Sequence, residues 1–293
     1  MTGPRSTVAA RDWRVYFLHR FRVTLSFVVI EEASHLHRTE VTLLTEDEVR
    51  LRVRRSSHSA GAHALVVVAH GFAAGLDHPD VRSLADQLFS ADLDVVTYDA
   101  RGHGQSEGRC GVGSTEHQDV ACVVAHVAAD GLPVLVVGVS MGAIAVVSYL
   151  AGIQGRDPAV VGAVLVSAPS RWRMRPSAVG VLNVVLTRSA VGRWAAGKWL
   201  GVRIRPGWWP GETPESAMNR IGIPVVVVHG ANDRLLASSH AHRLHGSGAA
   251  SNRLQVVEGM GHGLDKDGQN AVLDAVEWLL ARPDETKVVS RAG

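Results

Sequence analysis

The chain is expected to fold as a doubly wound, mostly parallel α/β domain, and three observations carry that expectation. Short continuous apolar runs, such as Ala-Leu-Val-Val-Val-Ala over residues 64–69, recur along the sequence, as strands covered on both faces require. Stretches of helical periodicity separate them, so the strands lie parallel and are joined by right-handed crossovers. One run, Val134 to Val137, ends in Gly138-Val139-Ser140-Met141-Gly142 and leads into good helix formers from Ala143 to Leu150, a strand, a sharp turn and a helix in succession.

The elements follow in order. Residues 1–38 read as an N-terminal extension whose patterns conflict: Arg20 to Phe27 alternates like a strand, whereas Trp13, Phe17, Phe21, Leu25 and Val28 make a helical stripe. A packed arm, a basic amphipathic segment lying on a membrane and a poorly ordered extension all fit that pattern. A signal peptide fits badly, because Arg14, Arg20 and Arg22 interrupt the apolar residues and Glu31-Glu32 follows directly. From Glu40 the alternation is regular, with Val41 and Leu43, then Val49, Leu51 and Val53, flanking Glu46-Asp47-Glu48 as a hairpin of two exposed-edge strands. Strands are then expected at 64–70, 93–98, 134–137, 160–166, 224–229 and 254–257, with helices at 79–90, 114–129, 143–150, 238–245 and 269–280. Residues 39–170 and 221–285 form the two parts of the core, residues 171–220 an inserted helical cap, and residues 286–293 a tail.

Composition excludes several classes. A hydrophobic content of 46% supplies an ample core, and a net charge of +2 is too small for a nucleic-acid binder. The two cysteines, Cys110 and Cys122, make no disulfide framework and have no zinc-site spacing with histidine, which points to reduced thiols, a cytoplasmic setting and no metal. No uncharged apolar run reaches eighteen residues, so a spanning helix is not expected.

In such a sheet ligands bind beyond the carboxyl ends of the strands. Those ends carry His70-Gly71-Phe72, Asp99-Ala-Arg-Gly-His-Gly-Gln-Ser106, Ser140, His229-Gly-Ala-Asn-Asp233 and Glu258-Gly-Met-Gly-His-Gly263. A serine hydroxyl is nearly inert at neutral pH without a base, and a histidine can take its proton and later return it to a leaving group. Ser140, Asp233 and His262 occur in the order nucleophile, acid, base, which matches the α/β-hydrolase arrangement and differs from the chymotrypsin and subtilisin orders. Asn232 and Asp265 are rival polar residues for the acid, and Asp233 has the alternative of capping the helix at Arg234. The amides of Phe72 and Met141 are the candidate oxyanion donors. His70, His103 and His229 read as structural, and Asp99 with Arg101 as a loop-stabilising ion pair.

Together these five stretches closely resemble the α/β-hydrolase superfamily and, within it, the group of bacterial lysophospholipases, monoacylglycerol lipases and related esterases. The resemblance covers roughly residues 40–282 and implies an eight-stranded, mostly parallel sheet, with Ser140 as nucleophile, Asp233 as acid, His262 as base, amides of Phe72 and Met141 as the oxyanion hole, and no cofactor. A small ester or thioester is the substrate class it implies. Val139 at the elbow departs from the residues common in such lipases and leaves the substrate open. The same fold also serves thioesterases, lactonases, cofactor-free peroxidases and non-hydrolytic members.

The expected cap contains two or more helices, near 176–186 and 189–200, and a turn rich in glycine, proline and tryptophan at 206–211. It gathers Trp172, Trp194, Trp199, Trp208 and Trp209 among Arg171, Arg173, Arg175, Arg188, Arg193, Lys198, Arg203 and Arg205, with Glu212 and Glu215 in opposition. Trp172, Trp194 and Trp199 are candidates for substrate contact. Packing of the tryptophans on the core beneath a solvated arginine face is one reading. An anionic amphiphile as substrate, or peripheral membrane contact through the cap or the N-terminal extension, is the other.

Overall fold

The computed structural model describes residues 28–32, 36–152, 157–172, 178–209 and 211–282. The expectations for residues 1–27, for Arg173 and Arg175 and for the C-terminal tail fall outside them. Nine strands form one sheet: β1 (Val28–Glu32), β2 (Leu36–Leu44), β3 (Arg50–His58), β4 (Leu65–Ala69), β5 (Asp94–Tyr98), β6 (Val134–Val139), β7 (Val160–Val166), β8 (Val225–Gly230) and β9 (Arg253–Val257), in the order β1-β2-β3-β5-β4-β6-β7-β8-β9. Pairing is antiparallel from β1 to β5 and parallel from β5 through β9. The order reverses around β4, whose neighbours are β5 and β6, and a crevice opens at such a switch point.

The parallel strands are apolar because both faces are covered. Every residue of β4, β6 and β8 is buried. Val66, Val68, Leu135 and Val137 pack against α1 (Pro79–Ser90) and α8 (Lys266–Leu280), while Leu65, Val67, Val134 and Val136 face α2 (His117–Ala128) and α3 (Met141–Leu150). Helix α1 starts with proline in its first turn and buries Val81, Leu84 and Leu88 on one face. Asp265 caps α8, its carboxylate accepting the Gly268 amide at 2.9 Å. Each fully buried leucine contributes roughly 1.5–3 kcal/mol relative to exposure, so the two layers hold the sheet as a rigid platform.

Two findings differ from the sequence expectation. The sheet has a ninth strand, β1, and takes in residues 28–32 and 36–38 of the expected extension, so the β2–β3 hairpin is flanked on both sides and not at an edge. The insertion between β7 and β8, expected to hold two or more helices, holds α4 (Ala178–Arg188), α5 (Ala190–Trp199) and the short α6 (Pro214–Met218). Asp99 and Arg101 do not pair. Asp99 instead accepts the amides of Leu76 and Gln105, each at 2.9 Å, while the buried Arg101 reaches Asp47 in the β2–β3 turn and Asp119 on α2, each at 2.7 Å.

The insertion is sewn to the core by backbone. Cys110 and Ile204 form a parallel bridge, with Cys110 N–H donating to Arg203 O at 2.7 Å and Arg205 N–H to Cys110 O at 2.8 Å. Gly192 lets α5 approach α4, since a side chain there would overlap the Val185 carbonyl. Within this frame the Arg101 clamp is the most exposed to disruption by a single change. Arg101→Leu strands the buried Asp119 carboxylate and should cost about 3–5 kcal/mol in denaturant unfolding. A cost below about 1 kcal/mol would mean that the clamp contributes no more than a surface pair.

Candidate active site

Ser140 sits at the carboxyl end of β6 with φ of +51°, a conformation that non-glycine residues adopt only where surrounding structure imposes it. The imposing contacts are local. Ser140 N–H donates to Val166 O at 2.8 Å, and the neighbouring glycines admit close backbone: a Cβ on Gly138 would lie 2.7 Å from the Ala143 Cα, and one on Gly142 would overlap the Ala69 carbonyl. The turn thereby lifts the Ser140 hydroxyl above the sheet.

The other groups arrive from neighbouring strand ends. His262 Nε2 lies 2.9 Å from Ser140 Oγ, and His262 Nδ1 lies 2.7 Å from Asp233 Oδ2. With Nδ1–H donating to the carboxylate, Nε2 is left to accept the serine proton. Asp233 divides its oxygens: Oδ2 faces His262, while Oδ1 accepts the amides of Leu235 and Leu236, each at 2.8 Å. Burial alone would push this carboxyl up, but the hydrogen bond and charge of His262 and the two amides hold it below the usual aspartate value. No helix starts at Arg234, so Asp233 caps none: its Oδ1 bonds fix the loop that follows, and its Oδ2 orients the imidazole. Asp265 is committed elsewhere, to the Gly261 and Gly268 amides, and the Asn232 amide bonds Met260 O.

The candidate oxyanion donors meet on the same side. Gly71 packs beside Ser140, its Cβ position 3.6 Å from the serine Cβ, and Phe72 and Met141 both line the pocket above the hydroxyl. Among the described residues no protein acceptor takes the amide of Phe72 or Met141. Two buried histidines shape that loop, as the sequence suggested. His70 accepts the Ala100 amide at 2.9 Å and donates to Gly71 O at 2.7 Å; His103 faces Arg101 O at 3.2 Å and accepts the Ala73 amide at 3.4 Å. Burial, with the repulsion that a second imidazolium at His70 would exert, drives His103 down to about 3, and burial also lowers His70, so both rings are neutral. His229, also buried, lies 3.6 Å from Asp233 Oδ2 and 3.4 Å from Leu236 O.

A pocket of about 600 Å³ opens over Ser140. Val112, Ile144 and Leu236 of the core line it, together with Val181, Val184 and Trp208 of the insertion. Trp172 lines it too, as expected. Trp194 and Trp199 do not: they stand on the outer side of α5, because helix periodicity specifies a stripe but not which stripe faces the cleft. Trp208 takes the inner place, its indole N–H donating to Thr187 O at 3.1 Å with Arg188 stacked 4.5 Å over the ring. Arg171 is engaged by Glu215 through two hydrogen bonds. Ser167 carries no motif signal, yet its buried hydroxyl accepts the Gly263 amide at 3.1 Å and holds the loop of His262; its place just after β7 is the only clue.

Comparison with known proteins agrees with this fold. Residues 60–203 match the family described as serine aminopeptidase, S33. Human monoglyceride lipase is 29% identical over 241 residues, spanning 70% of this chain and 77% of that relative. Among solved structures, an esterase from Pyrococcus furiosus superposes with a TM-score of 0.64 at 18% identity, covering 88% of this chain and 98% of that one. An esterase from a Rhodococcus species gives 0.63 at 21%, covering 83% and 98%. The chain has the α/β-hydrolase fold. In this α/β-hydrolase fold, Ser140, Asp233 and His262 follow the carboxyl ends of β6, β8 and β9.

Two outcomes follow from the site's support. Gly142→Ala forces a methyl into the Ala69 and His70 carbonyls and should cost about 1–3 kcal/mol, read by thermal unfolding. Because His103 stays neutral when folded but takes a proton when unfolded, its contribution is intact above about pH 6.5 and is lost as pH falls from there toward about 3. The midpoint of wild type should fall on acidification below about pH 6.5, and His103→Gln should fall less steeply. Equal slopes would assign the acid loss to other groups.

Proposed function

We propose that the protein is a serine hydrolase that cleaves a carboxylic ester of an apolar acyl chain through an acyl-enzyme. The single observation that carries the reading is the hydrogen-bond series Ser140 Oγ, His262 Nε2, His262 Nδ1, Asp233 Oδ2 at the mouth of an apolar pocket. In the proposed reaction His262 takes the Ser140 proton as Oγ attacks the ester carbonyl, and the imidazolium is stabilised by Asp233. The amides of Phe72 and Met141 receive the tetrahedral oxyanion; one such donor typically supports about a hundred- to thousandfold in rate. His262 then protonates the leaving alcohol, and a water activated by the same imidazole releases the acid.

The pocket favours an acyl chain with a small polar head. Many of its wall side chains are apolar, Val, Leu, Ile, Trp, Phe and Met among them, which gain from excluding water around a hydrocarbon chain. Similarity to monoglyceride lipase and to esterases supports an ester, with thioesters and lactones as competing acyl donors for the same groups. Residues 171–220 act in this reading as a cap that shapes the pocket and shields the intermediate from water.

Labelling with a fluorophosphonate tests the nucleophile: wild type should label and Ser140→Ala should not. Asp233→Asn should lower kcat by about 10⁴, the cost of a wrong imidazole tautomer. On p-nitrophenyl esters of graded length, kcat/KM should rise from acetyl to medium or long chains, and acyl-CoA thioesters should be poorer. Full labelling of Ser140→Ala, or undiminished turnover by Asp233→Asn, would transfer these roles to other residues.

A further inference from the structure

Outside the catalytic pocket, the insertion and the core together build a second concavity. It is a groove of about 420 Å³ whose lining includes Arg109, Arg193, Trp194, Lys198 and Arg203, with no acidic residue. These residues come from two separate stretches of chain, the loop after β5 and the segment from α5 to the bridge at Ile204, which the backbone hydrogen bonds between Arg203 and the Gly102 and Cys110 peptides hold together. Arg193 donates to Arg188 O at 2.8 Å and Arg203 to Ser106 O, which fixes both stems at the groove and leaves most of each guanidinium's five N–H groups unspent. Among the described residues Arg109 and Lys198 have no ion-pair partner.

The acids of the insertion do not balance this charge. Glu212 pairs with Arg220 and Glu215 with Arg171, both away from the groove. Four like charges around one concavity repel one another, and an anion placed among them converts that repulsion into attraction. Guanidinium forks match the geometry of phosphate oxygens. Beside the groove the surface turns apolar: Trp194 and Trp199 are 63% and 73% exposed, their rings edge to face at 5.9 Å, with Val191 and Leu200 also exposed. Indole rings on a basic helix suit the level of lipid headgroups, where the ring enters the acyl boundary and the cations meet phosphate. A free phosphate would use the cations and leave both tryptophans in water.

We infer that this groove binds the phosphate headgroup of an anionic phospholipid, seating α5 on a negatively charged membrane with Trp194 and Trp199 at the interface. The inference stands apart from the ester chemistry, since none of these residues lines the catalytic pocket.

Sedimentation of the full chain with phosphatidylcholine vesicles, and with vesicles containing phosphatidylglycerol, tests it. Wild type should partition onto the anionic vesicles, with the tryptophan emission shifted to the blue, and should be released by raised salt, while phosphatidylcholine alone retains little. Arg109→Gln combined with Lys198→Gln should weaken anionic-vesicle partitioning by about thirtyfold, roughly fivefold for each cation near the surface. Neither side chain has a structural bond to lose, so the variant should unfold at the wild-type temperature; if it does not, the salt series on wild type still decides. Trp194→Ala should weaken binding while keeping the salt dependence. Equal partitioning onto both vesicle types, salt-independent binding or undiminished binding by the double variant would each overturn the inference. Inorganic phosphate that bound in calorimetry as tightly as the vesicles would also overturn it, in favour of a soluble anion.

Discussion

The imidazole of His262 bridges two groups that the chain supplies from distant places, and the rest of the architecture keeps that bridge in register. Its two hydrogen bonds, 2.7 Å to Asp233 and 2.9 Å to Ser140, join the loops after β8, β9 and β6. An error of about 1 Å in any of these loops would break a bond and with it the alignment on which the proposed proton transfer relies. The parallel sheet solves this because neighbouring strands place their carboxyl ends side by side, and two buried layers of helices prevent the strands from sliding.

Around the bridge, polar groups are buried at a cost that hydrogen bonding largely offsets, the Nδ1 of His229 being without a partner. Asp99, Asp119, Arg101, His70 and His103 are all buried, and each has hydrogen-bond partners in the loops that flank the pocket. Partly satisfied, such a network would destabilise the fold; satisfied, it fixes loops that lack an apolar core of their own. Ser140 stores backbone strain on top of this network, and the strain is tolerable because the Val166 bond and the glycine contacts leave no relaxed alternative. Stability elsewhere thus supports a locally unfavourable geometry at the serine.

Much of this was legible in the sequence because several rules coincide at the same residues. Gly138 to Gly142 combines a buried strand, a required glycine turn and a helix start, and the helix follows at Met141. Asp233 and His262 were found by their position after strands and by chain order. What was missed depends on contacts between residues far apart. Ser167 and Asp119 act through partners 96 and 18 residues away, which no local pattern encodes. Asp99 and Arg101 are close in sequence but leave the loop in different directions. Trp194 and Trp199 were placed on the wrong side because composition does not say which face of a helix looks inward, and the same two residues, set outside, belong to the basic groove. The strand β1 was hidden by two periodicities that overlap in the extension.

The account depends on Ser140 and His262 acting as one unit, and the kinetics of the double variant Ser140→Ala/His262→Ala test this most directly. If the two groups share one proton transfer, removing both should slow ester hydrolysis no more than removing the more damaging one alone, within about twofold. Losses that multiply would contradict the account, because they would show the hydroxyl and the imidazole to be contributing separately.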